Sequence, residues 1–522
     1  MKKFKKYIKC SLLGIALISV VTSCDSFLDT LPDNRTELHS ADQISKLLVS
    51  AYSTSYPAFM AEMASDNTDE NASVYTAYGR FQTQAYNWTD VTEIEDNDTP
   101  QGLWESYYTV FSTCNTALQY IRASDSTLCT SQKGEALVCR AYAGFMLSTV
   151  FCHAYDETTA ATNLGLPYPT VPESSVGEKY ERGSLSDLYK KIAVDLEQGI
   201  PLLSNNYDEP KYHFTQTAAY AFAARFYLYY HQYDKAIAYA TKALGSTPAN
   251  KLRDWASWNA LSQNGQIRPN AYVSSSLQTN FLLISAQCNW PLVAGPYDVG
   301  CGYTHNSLIS KYETIAAEGP WGVANVALNY SYASYSDLPK VIIRKIGYYF
   351  EYSDKVSQIG YTHTVFSAFN AEETLLCRAE AYALQHNYPA AVNDINILLS
   401  KFSVKGISLT LSQIVDYYNN VSYYTTSVPT VKKKFNTSFA IESTTEEPLL
   451  QCILQLRRLL TIHDGLRWQD IKRYGMVIYR RQLNTSNKID AITDSLSVKD
   501  PRRALQLPQD VIAAGMQANS RN

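Results

Sequence analysis

Aromatic rings interleaved with carboxamides and carboxylates are the side chains a sugar binder needs, and this chain concentrates them twice. The stretch from Asp66 to Asp98 holds Asn67, Tyr75, Tyr78, Trp88, Asp96 and Asn97, and the stretch from Trp290 to Trp321 adds Tyr297 and Tyr303. A pyranose offers an apolar C–H face that stacks on a flat ring, and a rim of hydroxyls that hydrogen-bond to amides and carboxylates. For a sugar ligand Trp88, Tyr75 and Tyr78 are expected to stack, with Asn67, Asp96 and Asn97 holding the rim; packing in the core is the alternative for each single ring. Trp290, Tyr297, Tyr303 and Trp321 form the second choice of platform. Tyrosine, at 41 residues against 7 tryptophans, leaves a peptide ligand open, because peptides are held by backbone hydrogen bonds and mixed pockets. The acidic runs Asp66 to Glu70 and Glu93 to Asp98 can hold a structural calcium. Neither has the central glycine of an EF-hand, so solvated loop carboxylates are the favoured expectation and no other cofactor is expected.

Catalysis would need a different constellation. The chain contains no Gly-x-Ser-x-Gly elbow, no His-Glu-x-x-His zinc pair, no phosphate loop and no Cys-x-x-Cys. Its 8 histidines have no ligand spacing to one another. Carboxylate pairs are plentiful, as in glycoside hydrolases, but abundance alone assigns no reaction. The expectation is a binding protein and not an enzyme.

The start of the chain speaks to location. Lysines at positions 2, 3, 5, 6 and 9 precede the apolar run Leu12 to Val21, which is shorter than the roughly 20 residues that span a bilayer. Val21-Thr22-Ser23-Cys24 then has the form of a bacterial lipobox, in which Cys24 takes the lipid. Acyl chains bury methylenes at about 0.8 kcal/mol each, so the protein is expected to be tethered to a membrane without crossing it. Cleavage before Cys24 removes five lysines and no acid, which takes the net charge from −4 to −9 and argues against nucleic acid as a partner. The eight remaining cysteines are scattered singly, and Cys139 and Cys377 sit in helical patterns as small buried hydrophobes.

These residues must be positioned by a scaffold, and its signature is clearest at Tyr220 to Pro248. Ala224, Tyr227, Tyr233 and Ala236 have the spacing of a tetratricopeptide hairpin, two antiparallel helices packed through alanines. Ala379, Tyr382, Tyr388 and Ala391 repeat those offsets within Leu375 to Ser403. One hairpin cannot bury its apolar faces alone, so neighbours are implied. Helices are expected at Ala41 to Phe59 (ended near Pro57), Leu103 to Arg122, Gly134 to Tyr155 and from Ser184, its N-cap, to Leu203. Residues 251–370 lose the helical period and read as a loop-rich insertion with strand-like patches at Phe281 to Ala286 and Val341 to Ile346. After residue 403 come a loop, a last helical region and a polar tail.

Further motifs carry a resemblance to a known family. They are CDSFLDTLP after the lipobox, LWESYYTVFSTCNTAL with Trp104, Tyr107 and Asn115, CRAYAGFML at Cys139 to Leu147, and TLLCRAEAYAL at Thr374 to Leu384. The most specific are LRRLLTIHDGLRWQDIKRYG at Leu456 to Gly475 and DPRRALQLPQDVI at Asp500 to Ile512. Together they resemble the SusD/RagB family of outer-membrane nutrient-binding lipoproteins over nearly the whole chain. Asp464 stands where that family usually has glutamate, Tyr474 where it has tryptophan, and His463 is an unusual polar residue there, which marks a divergent branch. Within this segment Asp464, Arg467, Asp470 and Arg473 are expected to pair on a helix surface and fix a sharp turn at Gly465, with Trp468 inward; an anionic ligand for the basic residues from Arg457 to Arg481 is the less favoured alternative.

The resemblance implies a mainly α fold: a tetratricopeptide-like helical-hairpin scaffold with large loop-rich insertions. Residues 1–23 would be the signal peptide, 24–40 the lipidated tether and 41–522 one domain. Within it the scaffold would cover about 103–250 and 371–403, the insertion 251–370 and the C-terminal family segment 448–522. It further implies capture of an oligosaccharide, or in some branches a peptide, at the outer face of the outer membrane, and delivery to a TonB-dependent transporter. A tetratricopeptide scaffold that binds a protein segment is the competing class.

Overall fold

The computed structural model describes residues 40–94, 96–123, 127–175, 177–334 and 338–521. The expected signal peptide, Cys24 and the expected tether up to residue 39 lie outside them. In chain order the principal elements begin with α1 (Ala41–Leu48), α2 (Ala58–Ala64) and the short strand β1 (Asp69–Glu70). The helices α3 (Pro100–Ala123), α4 (Thr130–Phe151), α5 (Leu185–Gly199), α6 (Gln216–Tyr229) and α7 (Tyr233–Leu244) follow. Strands β2 (Asn280–Gln287), β3 (Tyr303–Thr304), β4 (Tyr349–Asp354) and β5 (Ile359–Asn370) lie in the region without helical period. Then come α8 (Ala371–Leu384), α9 (Tyr388–Phe402), α10 (Leu411–Asn420), α11 (Glu446–Thr461) and α12 (Leu466–Arg473). The hairpin β6 (Ile478–Leu483) and β7 (Ile489–Leu496) precedes the end. No helix among the described residues is long and apolar enough to cross a membrane.

The scaffold is a mainly α stack of helical hairpins. Helices α3 to α5 pack in succession, α6 pairs with α7, α7 meets α8, α8 pairs with α9, and α11 lies against α8. Both hairpins read from the alanine spacing form as expected: Ala224, Ala236, Ala379 and Ala391 are fully buried. The match also includes the turn between the helices, because His231 and His386 occupy equivalent positions and both have positive φ, 58° and 59°. The starts of the helices are satisfied locally. Thr215, Asn370 and Ser184 each accept a backbone N–H from the first turn of α6, α8 and α5. Replacement of Ala379 by Leu adds three carbons where two backbones meet, and about 1–3 kcal/mol of stability should be lost. Thermal denaturation measures it, and an unchanged midpoint would refute the close helix approach.

Three local expectations are corrected. Pro57 does not end one long helix; α1 stops at Leu48, and Pro57 is the N-cap of α2. The patch at residues 341–346 is extended only at Val341–Ile342. The tail is not simply polar, because β6 and β7 form a hairpin inside a four-stranded sheet of order β7-β6-β1-β3. A second sheet, of order β2-β5-β4, ends on the first turn of α8. All eight cysteines from Cys114 to Cys452 are buried and free.

Candidate functional site

The acidic run after α2 does not face solvent. Asp66 and Asp69 are buried and lie among cations from distant elements. Arg467 Nε donates to Asp66 Oδ1 at 2.8 Å and its Nη2 to Oδ2 at 3.0 Å, while Lys433 Nζ stands 3.2 Å and Arg458 Nη2 3.4 Å away. Asp69 accepts from Arg481 Nε at 2.8 Å. Glu313 completes the cluster, 2.7 Å from Arg481, 3.0 Å from Lys433 and 3.1 Å from Arg458. Burial alone would raise the Glu313 carboxyl, but Lys433, Arg481 and Arg458 outweigh it and hold the group down at about 2. The expectation of solvated loop carboxylates is therefore overturned for Asp66 and Asp69, and in the second run for Asp98, which is 1% exposed and accepts from the Asn289 backbone. No three His, Cys, Asp or Glu among the described residues group as metal ligands.

The same elements take five predicted ligand residues into the interior. Trp88 is 2% exposed; its indole N–H donates to the Ala64 carbonyl at 2.8 Å, and the Arg480 guanidinium lies 3.7 Å over its ring. Arg480 also donates to the carbonyls of Met63, Ala64 and Ser65, which closes the C-terminal end of α2. Asn67 donates to Glu62 Oε2 and accepts from Arg458, so both ends of its amide are engaged in the interior. Trp290 stacks on Phe59 at 4.9 Å and donates to the His463 carbonyl. Tyr303 packs 4.6 Å from Tyr86 within the β1–β3 pairing, and Trp321 is buried over Gly319. These side chains build the core and have no face left for a ligand.

The C-terminal family segment acts in the same way. Gly465, at φ 79°, begins α12 so close to α2 that a Cβ there would sit 2.9 Å from Ala58 Cα. Trp468 is fully buried as expected. The expected pairing within the segment holds for Arg473 with Asp470, at 2.7 Å. Arg467 instead reaches Asp66, and Asp464 reaches Lys345 at 2.7 Å.

What remains at the surface is narrower and comes together. Strands β1 and β3 pair antiparallel and Thr76 bridges Cys301, so the two aromatic stretches lie side by side. Tyr78 and Tyr297 are exposed at 40% and 45%. The Tyr297 ring lies 4.9 Å from that of Tyr348, and Gln266 ties them: its Nε2 donates to the Tyr297 hydroxyl at 2.7 Å, and its Oε1 accepts from the Tyr348 backbone at 3.2 Å. The Tyr78 phenol is raised by partial burial and then by Asp96, Asp98, Asp298 and Tyr348. Asp96 Oδ2 accepts from Asn289 Nδ2 at 2.5 Å, and Asp98 Oδ2 accepts from the Asn289 backbone at 2.7 Å. These bonds fix the loop carrying Asp96 and Asn97 against the end of β2.

Asn97 links this patch to a groove of about 310 Å³. Its Nδ2 donates to Gln287 Oε1 at 3.0 Å, and Gln287 lines the groove with Tyr212, Glu351, Tyr361 and His363. The result is a continuous surface of tyrosine rings, carboxamides and carboxylates. Tyr75, Tyr78, Asp96, Asn97 and Tyr297 are thus the predicted residues that stay at or near the surface, Tyr75 half-buried. Tyr348, Gln266, Asp298, Gln287 and Tyr361 were not foreseen. For Tyr348 and Tyr361 the only sequence signal is the tyrosine-rich run around β4, which carries no helical period to set it apart; Asp298 lies within the Trp290 to Trp321 stretch, and Gln266 and Gln287 carry no signal.

Comparison with known proteins follows the same lines. The SusD-like family described as starch-binding, associating with the outer membrane, matches residues 26–228. No curated protein matches the chain. Among solved structures, a putative sugar-binding protein from Bacteroides vulgatus is similar at TM-score 0.64 and 18% identity, covering 93% of this chain and 99% of its own. A SusD superfamily protein from Bacteroides thetaiotaomicron gives TM-score 0.64 and 18% identity, covering 92% and 100%. A SusD-like carbohydrate-binding protein from Bacteroides vulgatus gives 0.60 and 17%, covering 91% and 97%. At such identity the likeness to solved structures is one of fold.

Proposed function

We propose that this chain, which belongs to the SusD/RagB family, captures an oligosaccharide on the patch of Tyr78, Tyr297 and Tyr348 and delivers it to a TonB-dependent outer-membrane transporter. The observation that carries the reading is the pairing of exposed tyrosine rings with carboxamides already fixed by hydrogen bonds. Gln266 and Asn97 are held in place before any ligand arrives, so little side-chain entropy is lost on binding. The neighbouring groove lets a chain of sugars continue past Gln287. Lipidation at Cys24 would tether the protein at the cell surface, where confinement beside the transporter raises their effective concentration. Binding in this reading involves no bond making or breaking.

Glycan arrays followed by calorimetry test it. Tyr297→Ala and Tyr78→Ala should each weaken the best glycan about tenfold, near 1.4 kcal/mol, with the melting temperature unchanged. Trp88→Ala should show the reverse, lost stability with binding retained in whatever remains folded. A protein that binds no glycan but holds peptides on the same tyrosines would replace the sugar with the family's other ligand class. Binding indifferent to both tyrosines would remove the patch from consideration. For delivery, gentle detergent extraction should bring the protein out with a transporter barrel, and recovery only as a free monomer would count against that step.

A further inference from the structure

A second cavity, of about 500 Å³, lies between the end of α4, the α6–α7 turn, residues 436–439, the end of α12 and residues 498–503. Its floor holds cations without matching acids. Lys472 is 7% exposed and Arg503 4%. Lys472 Nζ donates to the carbonyls of Thr149 at 2.7 Å and Cys152 at 2.9 Å, which leaves its third N–H unspent. Arg503 donates only to the carbonyls of Ser497, Ile471, Met476 and Leu496. Neither forms an ion pair among the described residues, unlike Arg458 or Arg467 in the central cluster. Arg473 also lines the cavity; Glu380 and Asp470 balance its charge, yet its buried Nε has no acceptor. Lys499 is exposed at the rim, and Asp156 is the one carboxylate on the lining.

We propose that this cavity binds the anionic group of a small ligand, a carboxylate or a sulfate, at the donors left over on Lys472, Arg473 and Arg503. An ammonium satisfied by two carbonyl dipoles is solvated but not neutralised, and an anion supplies the missing charge in a low-dielectric setting. The titration behaviour agrees. Burial, with Arg503 beside it, brings Lys472 down to about 7, and burial brings Arg503 to about 10. Burial and then Lys472, Arg503, Arg182 and Arg521 bring His153 to about 4. The rest of the wall suits a sugar carrying the charge. Phe439 stands edge-on to His231 at 5.2 Å, Tyr155 adds a second ring, and Asn163 and Asn436 supply amides. A cavity of this size accommodates one or two sugar rings.

Calorimetry on the full-length protein with glucuronate, glucose and acetate tests the proposal. Glucuronate should bind at least tenfold more tightly than neutral glucose. Ser438→Trp, at an exposed position on the mouth, should reduce that binding tenfold or more by filling the cavity, and Lys499→Glu should reduce it severalfold. Tyr297→Ala should leave it unchanged, which separates this cavity from the tyrosine patch. Acetate much weaker than glucuronate identifies an acidic sugar as the source of the charge, whereas equal binding identifies a free anion. Glucuronate no tighter than glucose, or binding that survives Ser438→Trp undiminished, would overturn the assignment.

Discussion

Asp66→Ala should cost about 3–5 kcal/mol of folding stability, the penalty for removing one partner from a buried charge cluster. Asp66 is 5% exposed and faces Arg467, Arg458 and Lys433. Burial by itself would raise its carboxyl, but Arg458, Arg467 and Lys433 hold it well below the usual carboxylate range. Without it, Arg467 loses both hydrogen bonds, and Lys433 and Arg458 keep only Glu313, which Arg481 already shares. The uncompensated cations, more than the lost bonds, set the size of the effect. A double-mutant cycle with Arg467→Met separates the two: the second substitution should cost far less in the Asp66→Ala background than in the parent protein. Chemical denaturation reads both. A loss under about 1 kcal/mol would mean that water or the remaining carboxylates take over from Asp66, and the cluster would no longer explain how the 66–98 loop is held.

That loop shows where sequence reading succeeds and where it stops. The hairpin at Ala224, Tyr227, Tyr233 and Ala236 was legible because its packing partners lie within one helical repeat, and a second copy of the offsets corroborates it. Trp88 could not be placed the same way. The groups that bury it, Arg480 and the Ala64 carbonyl, come from β6 and from the end of α2, and no local period connects them. Asp66 and Asp69 read as solvated for the same reason, since their arginines lie roughly 400 positions later in the chain. An aromatic-rich, Asn/Asp-rich loop is equally the composition of a sugar platform and of a core held by buried ion pairs. Of the two stretches, Tyr78 and Tyr297 keep exposed rings, and both lie outside the paired residues of β1 and β3. Tyr348, just ahead of β4, packs against Tyr297 across about fifty residues of sequence, and only the fold reveals that juxtaposition.

Stability should fall steeply as pH drops from about 6.5 to 4, because folding buries imidazoles in their neutral form. His305 shows the sign. Its Nδ1 is 2.9 Å from the Asn67 carbonyl and its Nε2 2.9 Å from Thr314 Oγ1. Burial, then Arg458, pushes it from 6.5 down to about 4. Between those values the unfolded chain binds the proton and the folded one does not. The contribution is therefore complete above about 6.5 and lost as pH falls through 4, roughly 3 kcal/mol for a shift of this size. His463, with its ring 6.2 Å away, is shifted in the same direction, first by burial and then by His305. Burial brings His153 and His231 to about 4 as well. Glu62 runs the other way. Burial raises it to about 7, so its contribution is present below 4.5 and lost as pH rises; burial raises Asp69, Asp98, Asp394 and Asp464 in the same sense, against the four imidazoles and the depressed carboxyls of Asp66, Glu373 and Glu380. Glu313, held at about 2, adds a further loss below 4.5. Urea unfolding at pH 7, 6, 5 and 4 reads the slope directly. His305→Gln should be less stable at pH 7 yet lose about 3 kcal/mol less on the way to pH 4, because the neutral amide has no proton to take up. Stability that holds level to pH 4, or a variant whose slope matches the parent, would show that His305 already carries its proton in the folded protein.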